Sequence, residues 1–71
     1  MMIEPKEIEK LLNYYVAVGI PHYVDEGKLY FYFGILKNIT NDTIKIEKKD
    51  GLKIIPIEQV KEIRKVEHND R

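Results

Sequence analysis

The sequence predicts a mainly β protein in which a short N-terminal α-helix precedes a five-stranded, strongly bent antiparallel β-barrel. Three observations predict it: an apolar stripe of helical spacing near the start, five short strand-like runs separated by turn signals, and a glycine inside the second run. The 71 residues are expected to form one domain, 1–71. A domain of this size buries only roughly 60% of the surface that its unfolded chain exposes, so we expect a small core.

The helix is predicted to begin at Pro5, because proline is favoured at the first helical position and Glu7 suits the first turn. Apolar side chains then recur at spacings of three and four, at Ile8, Leu11, Leu12 and Tyr15. A helix of about ten residues is only marginally stable alone, so this stripe is expected to pack on the strands that follow.

The first two strands are predicted on either side of a glycine-containing turn. β-branched residues alternate with small ones from Val16 to Ile20, and Pro21 ends this run. An aromatic-rich run begins at Leu29 and continues to Ile39. These two runs are expected to pair as neighbouring strands.

Gly34 interrupts the second run, and a glycine within a strand marks a place where the strand bends or bulges to serve two sheets of a barrel. The inward-facing phase is expected to change at this glycine, with Leu36 and Ile39 buried after it. Before it two alternatives stay open, in which the inward set is either Tyr30 and Tyr32 or Leu29, Phe31 and Phe33.

The remaining strands are predicted from an alternating run, a hairpin signal and an apolar C-terminal run. Thr43 to Lys49 forms strand three, Asp50-Gly51 is a strong hairpin signal, and Leu52 to Ile57 forms strand four. After a corner, strand five runs through Val60, Ile63 and Val66, either directly or with one helical turn in front. The last residues, 68–71, are expected to be a disordered tail.

Composition excludes several classes of protein. The chain has no cysteine, so a disulfide scaffold and a zinc ribbon are excluded, and with two histidines neither a metal nor a cofactor is expected. No run is long enough to span a membrane and no secretory signal precedes the domain, so we expect a soluble, cytoplasmic protein. Oligomerisation remains as the means of supplementing the small core.

Charge and motifs argue against an enzyme and against a broad phosphate-binding surface. Lysine and arginine equal aspartate and glutamate in number, so any RNA site must be local. No nucleophile motif, phosphate loop or acid-base pair is present. His22 follows a proline in a loop and is expected to face water.

The stretch from Gly34 to Ile46 has the length and apolar placement of the Hfq segment between the second-strand glycine and the third strand. The stretch from Ile54 to Ile63 is similar to the second Sm motif after one inserted residue. With the helix and five strands, the chain resembles the Sm-like superfamily, Hfq-type, and an archaeal Hfq-like protein in particular. The resemblance spans Pro5 to Val66.

The resemblance implies a homo-oligomeric, hexameric ring that binds U- or A-rich single-stranded RNA and acts as an RNA chaperone. One departure concerns the basic uridine pocket, because Pro56, Ile57 and Glu58 stand where Hfq has Tyr-Lys-His. In the family the turn after strand two lines the pore, which implies RNA-binding roles for Thr40, Asn41 and Asp42. The alternative is that Asn41 and Asp42 only make the turn, since both residue types tolerate tight turns.

The family lays its helix across one ring face, which implies phosphate contacts for Lys6 and Lys10. The ring is expected to form by pairing of strand four with strand five of the next subunit, which would bury an apolar set: Ile54, Ile55, Ile57, Val60, Ile63 and Val66. An alternative class is an SH3-like small-barrel adaptor that binds a protein partner through an aromatic groove. For Tyr23, Tyr30 and Tyr32, stacking on RNA bases and packing inside the fold both stay open.

Overall fold

The computed structural model describes residues 3–67 and shows a mainly β protein with a short N-terminal helix. The helix α1 (Pro5–Glu9) is followed by β1 (Tyr15–Pro21), β2 (Leu29–Ile39), β3 (Thr43–Lys48), β4 (Gly51–Pro56) and β5 (Glu62–Lys65). A 3-10 turn (Ile57–Gln59) lies in front of β5, so the alternative with one helical turn there is confirmed. The tail predicted at 68–71 lies outside the described residues.

The strands form one antiparallel sheet in the order β4-β3-β2-β1-β5. The sheet is open and does not close into the predicted barrel, because β4 and β5 lie at opposite edges. Short β5 pairs with β1 over Val16–Gly19, and the Lys61 N–H donates to the Gly19 carbonyl oxygen at 2.8 Å. The chain after β4 therefore joins the far edge instead of continuing along β4.

The long strand β2 pairs with two partners in succession. It pairs with β1 from Leu29 to Ile35 and with β3 from Ile35 to Ile39. Gly34 lies directly before this change of partner. A Cβ atom at residue 34 would stand 2.5 Å from the backbone oxygen of Glu47, so only glycine allows β3 to approach this closely.

The tyrosines of β2 belong to its inward face. Tyr32 lies opposite Val18 and Tyr30 opposite Ile20, and residues directly opposite each other in an antiparallel pair share a face. Val18 is fully buried, and Tyr32 packs against the core while staying half-buried. Of the two alternatives for this strand, the one with inward tyrosines is correct.

The phase of β2 changes at a bulge, and the prediction that it changes at Gly34 is wrong. Leu36 lies on the same inward face as Tyr30 and Tyr32, so the alternation is unchanged at Gly34. The register shifts between Leu36 and Asn38. Lys37 is the extra residue of this bulge. It restores the alternation so that Ile39 also faces the core, as expected.

The core fills the space between the sheet, α1 and the 3-10 turn. Its side chains are aliphatic and at most 3% exposed: Ile8, Val16, Val18, Leu36, Ile44, Ile46, Ile55, Ile57 and Val60. α1 and the 3-10 turn cover one end of the inward face. The other end, at Tyr30, stays open to solvent.

The helix is shorter than predicted, because its apolar spacing continues in a different conformation. α1 ends at Glu9, and the Leu11 N–H then donates to the Ile8 carbonyl at 2.8 Å, an i to i+3 turn. Asn13 has a φ of 72°, which stops any further helix. Tyr15 consequently begins β1. No helix within residues 3–67 is long and apolar enough to cross a membrane.

Candidate nucleic-acid interface

The turn between β2 and β3 is held by the hydroxyl of Thr40. This oxygen accepts the backbone N–H groups of Asp42 at 3.1 Å and Thr43 at 3.0 Å. The Thr40 N–H donates to the carbonyl of Thr43 at 2.8 Å, which closes the turn. The turn is therefore fixed by Thr40, whose hydroxyl group is already engaged, whereas turn chemistry was predicted for Asn41 and Asp42.

Asn41 occupies the tip of this turn with its amide free. The side chain is exposed and forms no hydrogen bond with any of residues 3–67. It lies between two shallow grooves and lines both. An unengaged amide can donate and accept at once, which is what the edge of a nucleobase requires.

The first groove brings the turn together with the start of α1. It is lined by Pro5, Lys6, Glu9, Ile39, Thr40 and Asn41. Lys6 has no carboxylate within ion-pair distance among the described residues, so its ammonium group is available to a phosphate. Lys10 lies outside this groove and pairs instead with Glu7 at 3.8 Å.

The second groove carries negative charge. Asp42 lines it together with Pro56, Ile57 and Glu58, the three residues that the Sm-like resemblance would align with the Hfq triplet. The Ile57 N–H donates to the Asp42 carbonyl at 2.8 Å, so the 3-10 turn is fixed against the β2–β3 turn. The carboxylates of Asp42 and Glu58 have no basic partner within residues 3–67, which makes this side unfavourable for phosphate.

The residues expected at a subunit interface divide into two groups. Ile55, Ile57 and Val60 lie in the core of the single chain, so their side chains are already covered. Ile54 on the edge strand β4 is 59% exposed, and Ile63 is half-buried. Val66 is also half-buried, and its N–H donates to the Tyr15 carbonyl beside β5.

Tyr23, Tyr30 and Tyr32, for which stacking and packing both stayed open, form an aromatic surface with His22 at the open end of the core. His22 does not simply face water, because its Nδ1 accepts the backbone N–H groups of Val24 at 3.2 Å and Asp25 at 3.0 Å. Its ring lies 6.2 Å from that of Tyr23 and 6.3 Å from that of Tyr30. The signal in the sequence that could have predicted this role of His22 is the Pro21-His22 step in front of a turn that carries Tyr23.

No group of three or more metal-ligating side chains occurs within residues 3–67. Comparison with known proteins found no matching family model, no matching curated protein and no matching solved structure. The Sm-like resemblance therefore stays a prediction, and the function is inferred from the residues themselves.

Proposed function

We propose that the chain is a non-enzymatic, homo-oligomeric RNA-binding protein of the Sm-like, Hfq-like kind, which binds U- or A-rich single-stranded RNA at the β2–β3 turn. One observation carries the proposal. Lys6, Thr40 and Asn41 line one groove, and within residues 3–67 the ammonium group of Lys6 has no ion-pair partner and the amide of Asn41 no hydrogen bond.

The chemistry of the groove suits a nucleotide unit. The ammonium group of Lys6 would contact a phosphate, while the Asn41 amide would hydrogen-bond a base edge exposed by a single strand. The carboxylates of Asp42 and Glu58 in the second groove, and of Glu9 in the Lys6 groove, would repel phosphate, which restricts the backbone to the neighbourhood of the Lys6 ammonium group. Thr40 supports the site by holding the turn.

The open sheet supports assembly. Its edges β4 and β5 each have one neighbour within the described chain, and free edges accept a strand from another subunit. A closed ring would present several copies of this groove to one RNA strand, so weak contacts in each subunit would together give a useful affinity. A ring built through these edges is thus the form in which so small a site would hold RNA.

The test separates base selection from phosphate binding. Labelled U-rich, A-rich and C-rich oligonucleotides are titrated against the parent protein and three variants at several salt concentrations. We expect Asn41→Ala to alter the preference among oligonucleotides. We expect Lys6→Gln to weaken all of them equally and to make the log-log salt slope shallower by roughly 0.7 for each phosphate that is no longer neutralised.

Lys10→Gln is the matched control, because Lys10 is a nearby helix-end lysine outside the groove. It should bind like the parent. The proposal fails if the parent binds none of the oligonucleotides, or if Asn41→Ala keeps the parent's preference unchanged.

A further inference from the structure

A third groove, which we call the aromatic groove, lies at the other end of the core, between the β1–β2 loop and the inward face of β2. It has a volume of about 410 Å³ and is lined by Ile20, Pro21, His22, Tyr23, Val24, Tyr30 and Tyr32. Tyr30 is 49% exposed, although it belongs to the core face of its strand. The groove is thus a continuation of the core that nothing in the described chain covers.

The rings of Tyr30 and Tyr32 are already engaged, which disfavours stacking of nucleobases on this pair, whereas Tyr23 in the loop is 96% exposed. Tyr30 meets Tyr32 edge to face with centroids 4.9 Å apart. The Nζ atoms of Lys48 and Lys53 lie 5.0 and 5.1 Å from the centroid of the Tyr32 ring. A base needs a free parallel ring face, whereas ridged ring edges suit pyrrolidine rings.

The polar groups of the groove are hydrogen-bond donors. Because Nδ1 of His22 accepts two backbone N–H groups, the neutral ring carries its proton on Nε2 and presents a donor. The hydroxyl groups of Tyr30 and Tyr32 form no hydrogen bond with residues 3–67 and are free to donate. A ligand rich in acceptors, such as a peptide backbone containing proline, complements these donors, and the two hydroxyl groups can accept as well.

Positive charge lies at one end of the groove. Lys48 is paired with Asp50 at 3.6 Å, whereas Lys53 has no carboxylate within ion-pair distance among the described residues. Their ammonium groups converge on the Tyr32 ring. An acidic side chain following the apolar part of a ligand would meet this charge.

We propose that this aromatic groove binds a proline-rich, acidic peptide segment of a protein partner in the polyproline II conformation. Proline rings would pack against the edges of Tyr30 and Tyr32. The peptide carbonyl groups would accept hydrogen bonds from the tyrosine hydroxyls and from Nε2 of His22. A glutamate would pair with Lys53. This site is separate from the β2–β3 turn and does not depend on RNA binding.

The ¹⁵N-labelled 71-residue chain is titrated with a capped peptide of Pro-Pro-Glu repeats up to millimolar concentration, and binding is followed by NMR. Amide shifts should be confined to the β1–β2 loop and to the β2 and β4 residues around the groove. Tyr30→Ala should weaken binding about tenfold, because the proline rings would no longer have this aromatic edge to pack against. Phe33→Ala is the matched control, because Phe33 has a similar exposure of 47% on the same strand but faces the other side of the sheet.

Two further peptides separate the contributions of conformation and charge. Pro-Pro-Lys repeats keep the polyproline conformation with reversed charge, and Ala-Ala-Glu repeats keep the charge without it; both should bind more weakly than Pro-Pro-Glu. Lys53→Gln should remove the preference for glutamate over lysine. The proposal is overturned if the parent shows no shifts with Pro-Pro-Glu, if it binds all three peptides equally, or if a U-rich oligonucleotide shifts the groove and displaces the peptide.

Discussion

Gly34 is the residue whose missing side chain allows β2 to pass from β1 to β3. A methyl group there would overlap the side chain of Ile46 and press on the backbone of Glu47, which cannot move without breaking the β2–β3 pairing. We expect Gly34→Ala to lower the free energy of unfolding by about 1–3 kcal/mol, as overpacking of a core does. Urea denaturation followed by circular dichroism measures it.

Gly19→Ala is the matched control for that prediction. Its Cβ would meet ring atoms of Phe31 at 2.9 Å, and a half-buried ring can turn aside where a backbone cannot. The loss of stability should therefore be clearly smaller than for Gly34→Ala. Equal losses in the two variants would show that the close approach of β3 does not depend on Gly34.

At the residue scale, the sequence identified a residue that only one amino-acid type can occupy. It did not predict the residues whose conformation depends on the surrounding structure. Gly34 was correctly identified as a special position within the strand, because only glycine tolerates such a close approach, but neither a second sheet nor the change of phase occurs there. The bulge at Lys37 was missed, since a lysine between an inward and an outward residue carries no signal of an extra position. The role of His22 was missed because its hydrogen bonds depend on how the loop folds back.

Among the elements, the β2–β3 turn depends on one hydroxyl group. Thr40→Val keeps the shape of the side chain but removes the acceptor for the N–H groups of Asp42 and Thr43. We expect a loss of about 1–2 kcal/mol in the free energy of unfolding, since each such hydrogen bond contributes roughly 1 kcal/mol. Thermal or urea unfolding detects it.

Thr40→Ser retains the oxygen and is the control for the turn. It should remain within about 0.5 kcal/mol of the parent, the range typical of mild surface changes. If Thr40→Val is as stable as the parent, the hydroxyl group is not what fixes this turn. Thr40 would then also have no part in supporting the Asn41 site.

The elements themselves were largely predictable, because alternation and turn residues act locally. The helix was overestimated for a physical reason: apolar residues at spacings of three and four fit an α-helix and also a series of i to i+3 turns. Leu11 and Leu12 reach the core from such turns. The positive φ of Asn13 decides where the strand begins. Asparagine tolerates that conformation but also adopts others, so its presence alone does not predict it.

For the whole molecule, the unpredicted feature was the partner of β5. The apolar residues before it are spaced for burial, and their pattern does not say which edge of the sheet they complete. The 3-10 turn, held to the β2–β3 turn through Ile57 and Asp42, directs the chain towards β1. Strand pairing between residues roughly 40 or more positions apart depends on such non-local contacts, which a local pattern does not contain.

The two free edges lead to a prediction about assembly. Ile54 lies on the edge strand β4 and is 59% exposed, and a lysine on an edge strand opposes addition of another strand. We expect the parent to form a closed oligomer and Ile54→Lys to be a folded monomer. Light scattering gives the mass, and circular dichroism confirms that the variant keeps its strands.

The position of the substituted residue matters, because a lysine at an exposed position can prevent assembly without unfolding the chain. Ile57→Lys would place a charge at a site 3% exposed in the core, so it should unfold the chain and lose the oligomer for that reason alone. Val24→Lys, at a residue 71% exposed in the β1–β2 loop, adds the same charge away from both edges and should keep the parent's mass.

A parent that is monomeric at micromolar concentration, or an Ile54→Lys variant with the parent's mass, would contradict assembly through β4. A mass loss in both exposed variants would instead assign the effect to net charge, because the edge strand would then have no special part in it.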